Sequence, residues 1–175
     1  MVTKMIMSTL DQIKVFLEKI MCKDKTVIAC VGSPLRSDDR LGLLIYDKIK
    51  DLANNNISII ECEYGLENCF TEIVAENPAT LLIIDAVYNE SLNPGTTVLT
   101  SIENIREKIS LATTHTIPLR MILELIMKKT NIKNTYILGI RAKNLDIGMH
   151  VSPEIKKVVE DFAKILKEII TSCGK

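Results

Sequence analysis

The chain has 175 residues, with 22 basic and 22 acidic residues in balance, and no basic block or aromatic–basic interleaving marks it for a nucleic-acid partner. Its length fits one domain, residues 1–175, with a single substantial core. Hydrophobic residues at 47% and charged residues at 25% match a globular protein rather than a disordered one.

The first 21 residues read as an amphipathic surface helix rather than a signal or membrane segment. Asp11, Lys14, Glu18 and Lys19 interrupt the apolar residues, while Leu10, Ile13, Leu17, Ile20 and Met21 recur at helical spacing behind Ser8 as N-cap. No membrane partner is expected, and the cytoplasm is the expected location. The five cysteines are odd in number and form no Cys-x-x-Cys pair, so they read as buried thiols in a reducing compartment.

A β-branched apolar run, Thr26–Val31, predicts a strand that Gly32-Ser33-Pro34 breaks. Asp38 and Asp39 follow immediately before a helical pattern running from about Asp39 to Ala53, with Leu41, Leu44, Ile45, Ile49 and Leu52 inward. This is the strand–loop–helix junction at which open α/β sheets build their sites. A phosphate loop would need small residues where Pro34, Leu35 and Arg36 stand, and two carboxylates repel phosphate, so the loop suits a cation.

Ile57–Cys62 predicts a second strand, and a third helix carries Leu66, Cys69, Phe70, Ile73 and Val74 up to Asn77-Pro78. Leu81–Ile84, apolar throughout and ending in Asp85, has the mark of a buried central strand. The roughly nine residues before Thr96–Leu99 are too few for a parallel crossover, so that strand is expected antiparallel and near an edge. Ser101–Ser110 reads as a short helix, and Pro118 opens another running to about Lys129. Thr135–Arg141 is the last strand, and Ser152-Pro153-Glu154 starts a final helix with Ile155, Val158, Val159, Phe162, Leu166 and Ile169 inward. The expected fold is α/β: a three-layer α/β/α sandwich on a mixed five-stranded sheet with one antiparallel strand.

Three polar residues fall at site positions in this layout: Asp39 after the first strand, Asp85 after the third, and His115 ahead of the helix that opens at Pro118. Neighbouring parallel strands present their carboxyl ends at one rim, so the two acids are expected to converge there. Two carboxylates and an imidazole form a donor set for a divalent transition metal with open positions. Each residue also has a structural reading: Asp38 or Asp39 as a helix cap, Asp85 bonded to its own turn, and His115 as an ordinary helix-start residue. Spacing alone leaves a metal site and an acid–base site both open. No nucleophile elbow is present, and neither Cys30 nor Cys62 has a context that would activate a thiol, so hydrolysis would use a metal and a water.

Taken together, these segments resemble those of the hydrogenase maturation proteases. That family's Gly-x-Gly-Asn…Asp-Asp/Glu-Gly-x-Gly segment is similar to Val31-Gly32-Ser33-Pro34-Leu35-Arg36-Ser37-Asp38-Asp39-Arg40-Leu41-Gly42. Its Asp-Ala strand end is similar to Leu82–Ala86, and its Thr/Ser-Thr/Ser-His segment to Thr113-Thr114-His115 with Pro118-Leu119 after it. Its closing segment is similar to Gly139-Ile140, Gly148 and Ser152-Pro153-Glu154. The chain departs from the pattern in having Ser33 for Asn, Cys30 for the first Gly, and Arg40, able to pair with Asp38 or Asp39, beside the key carboxylate.

The resemblance implies an α/β/α endopeptidase that trims the C-terminal extension of the nickel–iron hydrogenase large-subunit precursor. It assigns the catalytic and metal-contacting positions to Asp39, Asp85 and His115. The nickel would come with the precursor, with no resident cofactor expected. Two other readings remain: a non-catalytic metal- or precursor-binding module, motivated by Arg40, and a hydrolase with its own bound zinc.

Overall fold

The computed structural model describes residues 9–102, 110–111 and 119–173. Helix α1 (Leu10–Met21) leads into strand β1 (Thr26–Gly32), a 3-10 turn (Ser37–Arg40), helix α2 (Leu41–Ile49) and strand β2 (Ile57–Glu63). Helix α3 (Phe70–Glu76), strands β3 (Thr80–Tyr88), β4 (Thr97–Ser101) and β5 (Ser110–Leu111), helix α4 (Leu119–Lys129), strand β6 (Asn134–Arg141) and helix α5 (Pro153–Cys173) complete the order. The five main strands lie in the order β2-β1-β3-β6-β4, and the two-residue β5 pairs with β3 off this path. The pairs β1–β2, β1–β3 and β3–β6 are parallel; β4 runs antiparallel to β6 at the edge, as its short connection requires.

The layers follow from side-chain alternation along the strands. Ile28, Cys30, Leu82, Ile84, Ala86, Leu138 and Ile140 face one way and pack with α1, α2 and α5 through Ile13, Leu17, Ile45, Phe162 and Leu166. Val27, Ala29, Val31, Leu81, Ile83 and Ile137 face the other way and meet α3 and α4 through Ile73, Ile122 and Ile126. Strand β1 is buried along its whole length, which explains its unbroken apolar run.

Several boundaries differ from expectation. The cap of α1 is Thr9, whose hydroxyl accepts from Gln12 N at 3.4 Å, while Ser8 lies outside the described residues. Leu10 is exposed rather than inward, because the buried stripe of α1 is Ile13, Leu17 and Met21. The helix expected over Ser101–Ser110 is interrupted at both ends: Ser101 closes β4 and Ser110 pairs with Tyr88, and the stretch 103–109 lies outside the described residues. The expected helix start at Pro118 also lies outside them.

The largest correction concerns the cysteines. Cys22 is joined to Cys173 and Cys62 to Cys69, leaving Cys30 as the free thiol. Cysteine spacing marks only local pairs, whereas the first bridge links the ends of α1 and α5 across a sequence separation of 151. Burial pushes the Cys30 thiol well above its ordinary range, so it is no nucleophile. Loop-closure entropy makes the long bridge worth more than the short one, whose separation is 7. Denaturant titrations of the C22S/C173S and C62S/C69S proteins are therefore expected to differ by about 2 kcal/mol, the first being less stable.

Two glycines set how closely helix α2 approaches the sheet. A Cβ on Gly42 would lie 2.0 Å from the Val31 carbonyl oxygen, and one on Gly32 would lie 2.5 Å from the Asp39 carbonyl oxygen. Backbone therefore packs on backbone where the 3-10 turn meets β1. Gly42→Ala would push α2 off the strand and is expected to cost about 3 kcal/mol in thermal or denaturant unfolding.

Candidate active site at the carboxyl rim of the sheet

After β1 the chain folds back on itself. Arg36 N donates to Ser33 O at 3.4 Å, Asp39 N to Arg36 O at 2.8 Å, and Ser33 N to Asp39 O at 3.3 Å. Ser37 takes a left-handed φ of 35°, a costly conformation for a non-glycine residue, and enters the 3-10 turn that carries both acids. A second loop, 142–150, clasps the first: Ser37 N donates to Gly148 O at 2.8 Å, Gly148 N to Leu35 O at 2.9 Å, and Arg36 Nε to Leu145 O at 3.0 Å.

The two adjacent acids have different work. Asp38 is fully buried and accepts from Lys143 N, Asn144 N, Ser152 N and the Ser152 hydroxyl at 2.7–2.9 Å. It is the staple that fixes the 142–152 segment to the first loop. No local spacing announces this, since its partners lie more than a hundred positions away; Ser152, read from sequence as a helix-start residue, gives its hydroxyl proton to Asp38. Asp39, 4% exposed, is the carboxylate left at the rim beside the end of β1.

Asp85 is also 4% exposed, but it sits inside β3 rather than after it. The strand continues because Asp85, Ala86 and Val87 find ladder partners in Gly139, Ile140 and Arg141 of β6. On the other side the ladder with β1 ends at Cys30–Ile84, so Asp85 stands one position past the last β1–β3 pair. One of its oxygens accepts from Ala86 N at 2.8 Å, a local bond made within the strand rather than at a turn. His115 lies outside the described residues, as do Thr113 and Thr114. His150 is exposed on the 142–150 loop.

A scan against family models matches residues 53–169 to the hydrogenase maturation protease family HycI, a stretch that includes Asp85 and His115 and begins after Asp39. The chain belongs to the hydrogenase maturation protease family. The hydrogenase 3 maturation protease of Escherichia coli K12 is 30% identical over 134 residues, covering 77% of this chain and 83% of that one. The solution structure of the endopeptidase HycI from Escherichia coli is similar with a TM-score of 0.67 at 27% identity, over 80% of this chain and 87% of that one. The crystal structure of a nickel–iron hydrogenase maturation protease HycI from Thermococcus kodakarensis shares the fold, with a TM-score of 0.77 at 23% identity over 89% and 99% of the two chains. This family member is accordingly a peptidase.

Arg40 does not take the part that its position beside Asp39 implied. Its Nη1 approaches the Met149 carbonyl oxygen and thioether at 3.5 Å, tying the end of the 3-10 turn to the 142–150 loop. Among the described residues it forms no ion pair. The rim of this maturation protease also carries Leu35, Ile147 and Met149 in water, Ile147 being 88% exposed, and Tyr64, whose N–H donates to Gly32 O at 2.8 Å. Among the described residues, no helix is long and apolar enough to cross a membrane.

Proposed function

We propose that this protein removes the C-terminal extension of the nickel–iron hydrogenase large-subunit precursor after nickel has been inserted. The observation that supports the reading is a pair of buried carboxylates, Asp39 in the 3-10 turn that follows β1 and Asp85 in β3, the strand parallel to and beside β1. Desolvated acids at one rim favour a divalent cation, and nickel accepts oxygen and imidazole donors together. Asp39, Asp85 and His115 would complete the coordination of nickel already held by the precursor. An empty precursor lacks the shared ion and so loses the three-point contact. The nickel belongs to the substrate, and the enzyme needs no resident metal.

Hydrolysis then requires a water to add to the scissile carbonyl carbon, a carboxylate to accept its proton, and the amine of the extension to leave with that proton. The exposed side chains of Leu35, Ile147 and Met149 flank this rim and offer apolar surface to an incoming chain. Cytoplasmic residence forms part of the proposal and rests on the partner, not on the cysteines. Arg40 turns its guanidinium to Met149, so it gives no support to a non-catalytic module. Incubating the protein with nickel-loaded precursor and following the mass of the large subunit tests the proposal. Loss of the extension is expected; binding without loss of mass would contradict it.

A further inference from the structure

Arg141 ends β6 at the same rim, and it is 8% exposed. Its Nε donates to the Asn89 carbonyl at 2.8 Å, and the guanidinium carbon lies 4.4 Å from the centroid of the Tyr88 ring. Its Nη1 is enclosed and meets no hydrogen-bond acceptor among the described residues. Nor does any carboxylate among them pair with it. A guanidinium withdrawn from water to this extent is ordinarily matched by an acid, because a ring face and one carbonyl do not replace its hydration.

The position of Arg141 points to the missing acid. Asp85 pairs with Gly139 and Val87 with Arg141, so Arg141 stands two residues beyond Asp85 toward the open end of the sheet. With a rise of about 3.3 Å per residue and about 4.8 Å between strands, the two Cα atoms are roughly 8 Å apart. An extended peptide with its scissile bond at Asp85 reaches that distance within two or three residues, at about 3.3–3.6 Å each. Tyr88, whose ring lies against the guanidinium, is 40% exposed.

We infer that Arg141 is a specificity-determining residue that holds a carboxylate of the extension being removed, through the planar fork with which arginine binds carboxylates. The carboxylate is either an acidic side chain of the extension or its C-terminal group. This inference rests on the processing reading above, and the test separates the two. Nickel-loaded precursors are prepared with the native extension, with its Asp and Glu residues changed to Asn and Gln, and with a C-terminal amide. The wild-type enzyme is expected to show KM raised about tenfold for whichever extension has lost the anchored carboxylate, with kcat unchanged. R141Q raises KM for the native extension by the same factor and no longer distinguishes it from the neutralised one; R141K keeps part of the preference.

Equal KM values for all three extensions with the wild-type enzyme overturn the inference, whether or not R141Q folds. So do effects of R141Q and of neutralisation that simply multiply, the pattern of a residue that only pins the loop after Tyr88. If no precursor is cleaved, the processing reading fails on its own. Anisotropy of the fluorescein-labelled extension peptide then decides for the anchor. Tighter binding of the native form than of the neutralised or amidated one supports it, and equal binding overturns it.

Discussion

Asp39→Asn is expected to slow precursor processing at least about a hundredfold while the melting temperature stays within a few degrees of wild type. Removing an outer partner of a metal ligand already costs 10- to 100-fold, so removing a direct ligand costs at least as much. Asparagine keeps the shape of the side chain, and the backbone bonds from Asp39 N to Arg36 O and from Ser33 N to Asp39 O do not involve the carboxylate. The turn therefore survives the change. Asp85→Asn is expected to behave in the same way, its bond to Ala86 N being one that an amide oxygen also accepts. A time course of large-subunit mass, read beside a thermal melt, separates the two quantities. Retention of a tenth or more of the wild-type rate by either variant would remove that residue from the site.

Asp38→Ala, one position away, is expected to do the opposite. Two buried donors of Ser152 and two part-buried backbone N–H groups, of Lys143 and Asn144, lose their acceptor. Each buried donor left unsatisfied costs about 1–3 kcal/mol, and the contributions are not additive, so a loss of about 5 kcal/mol is expected. For a chain of this size that corresponds to a fall in Tm of roughly 10–20 °C. Processing should fall as well, because the 142–150 loop that clasps the first loop is released. The two neighbours are thus expected to contrast, Asp39→Asn losing activity at little cost in stability and Asp38→Ala losing stability first and activity through it. A thermally stable Asp38→Ala protein would show that the clasp is held elsewhere.

The layout of strands and helices was legible because the strands of a parallel sheet covered on both faces are apolar throughout, and β1 and the start of β3 have that pattern. The antiparallel edge of β4 was legible from connection length alone. The end of β3 was not, because Asp85 looks like a terminator until its ladder with Gly139 of β6 is known. The division of labour between Asp38 and Asp39 was hidden for a related reason: four donors from the 143–152 stretch converge on Asp38, and nothing near it in sequence marks that. Arg40 and Arg141 illustrate the same limit from the cationic side. One stands next to a carboxylate in sequence but reaches for Met149, while the other, at an inconspicuous strand end, is enclosed with a donor unmet. The long disulfide was not legible because helix packing, not chain proximity, brings Cys22 to Cys173.

The central claim is that the rim reads nickel within the precursor. Its most direct test compares cleavage of nickel-loaded and nickel-free precursor by the wild-type enzyme under identical conditions. The account predicts loss of the extension from the loaded precursor only. Equal cleavage of both would contradict it.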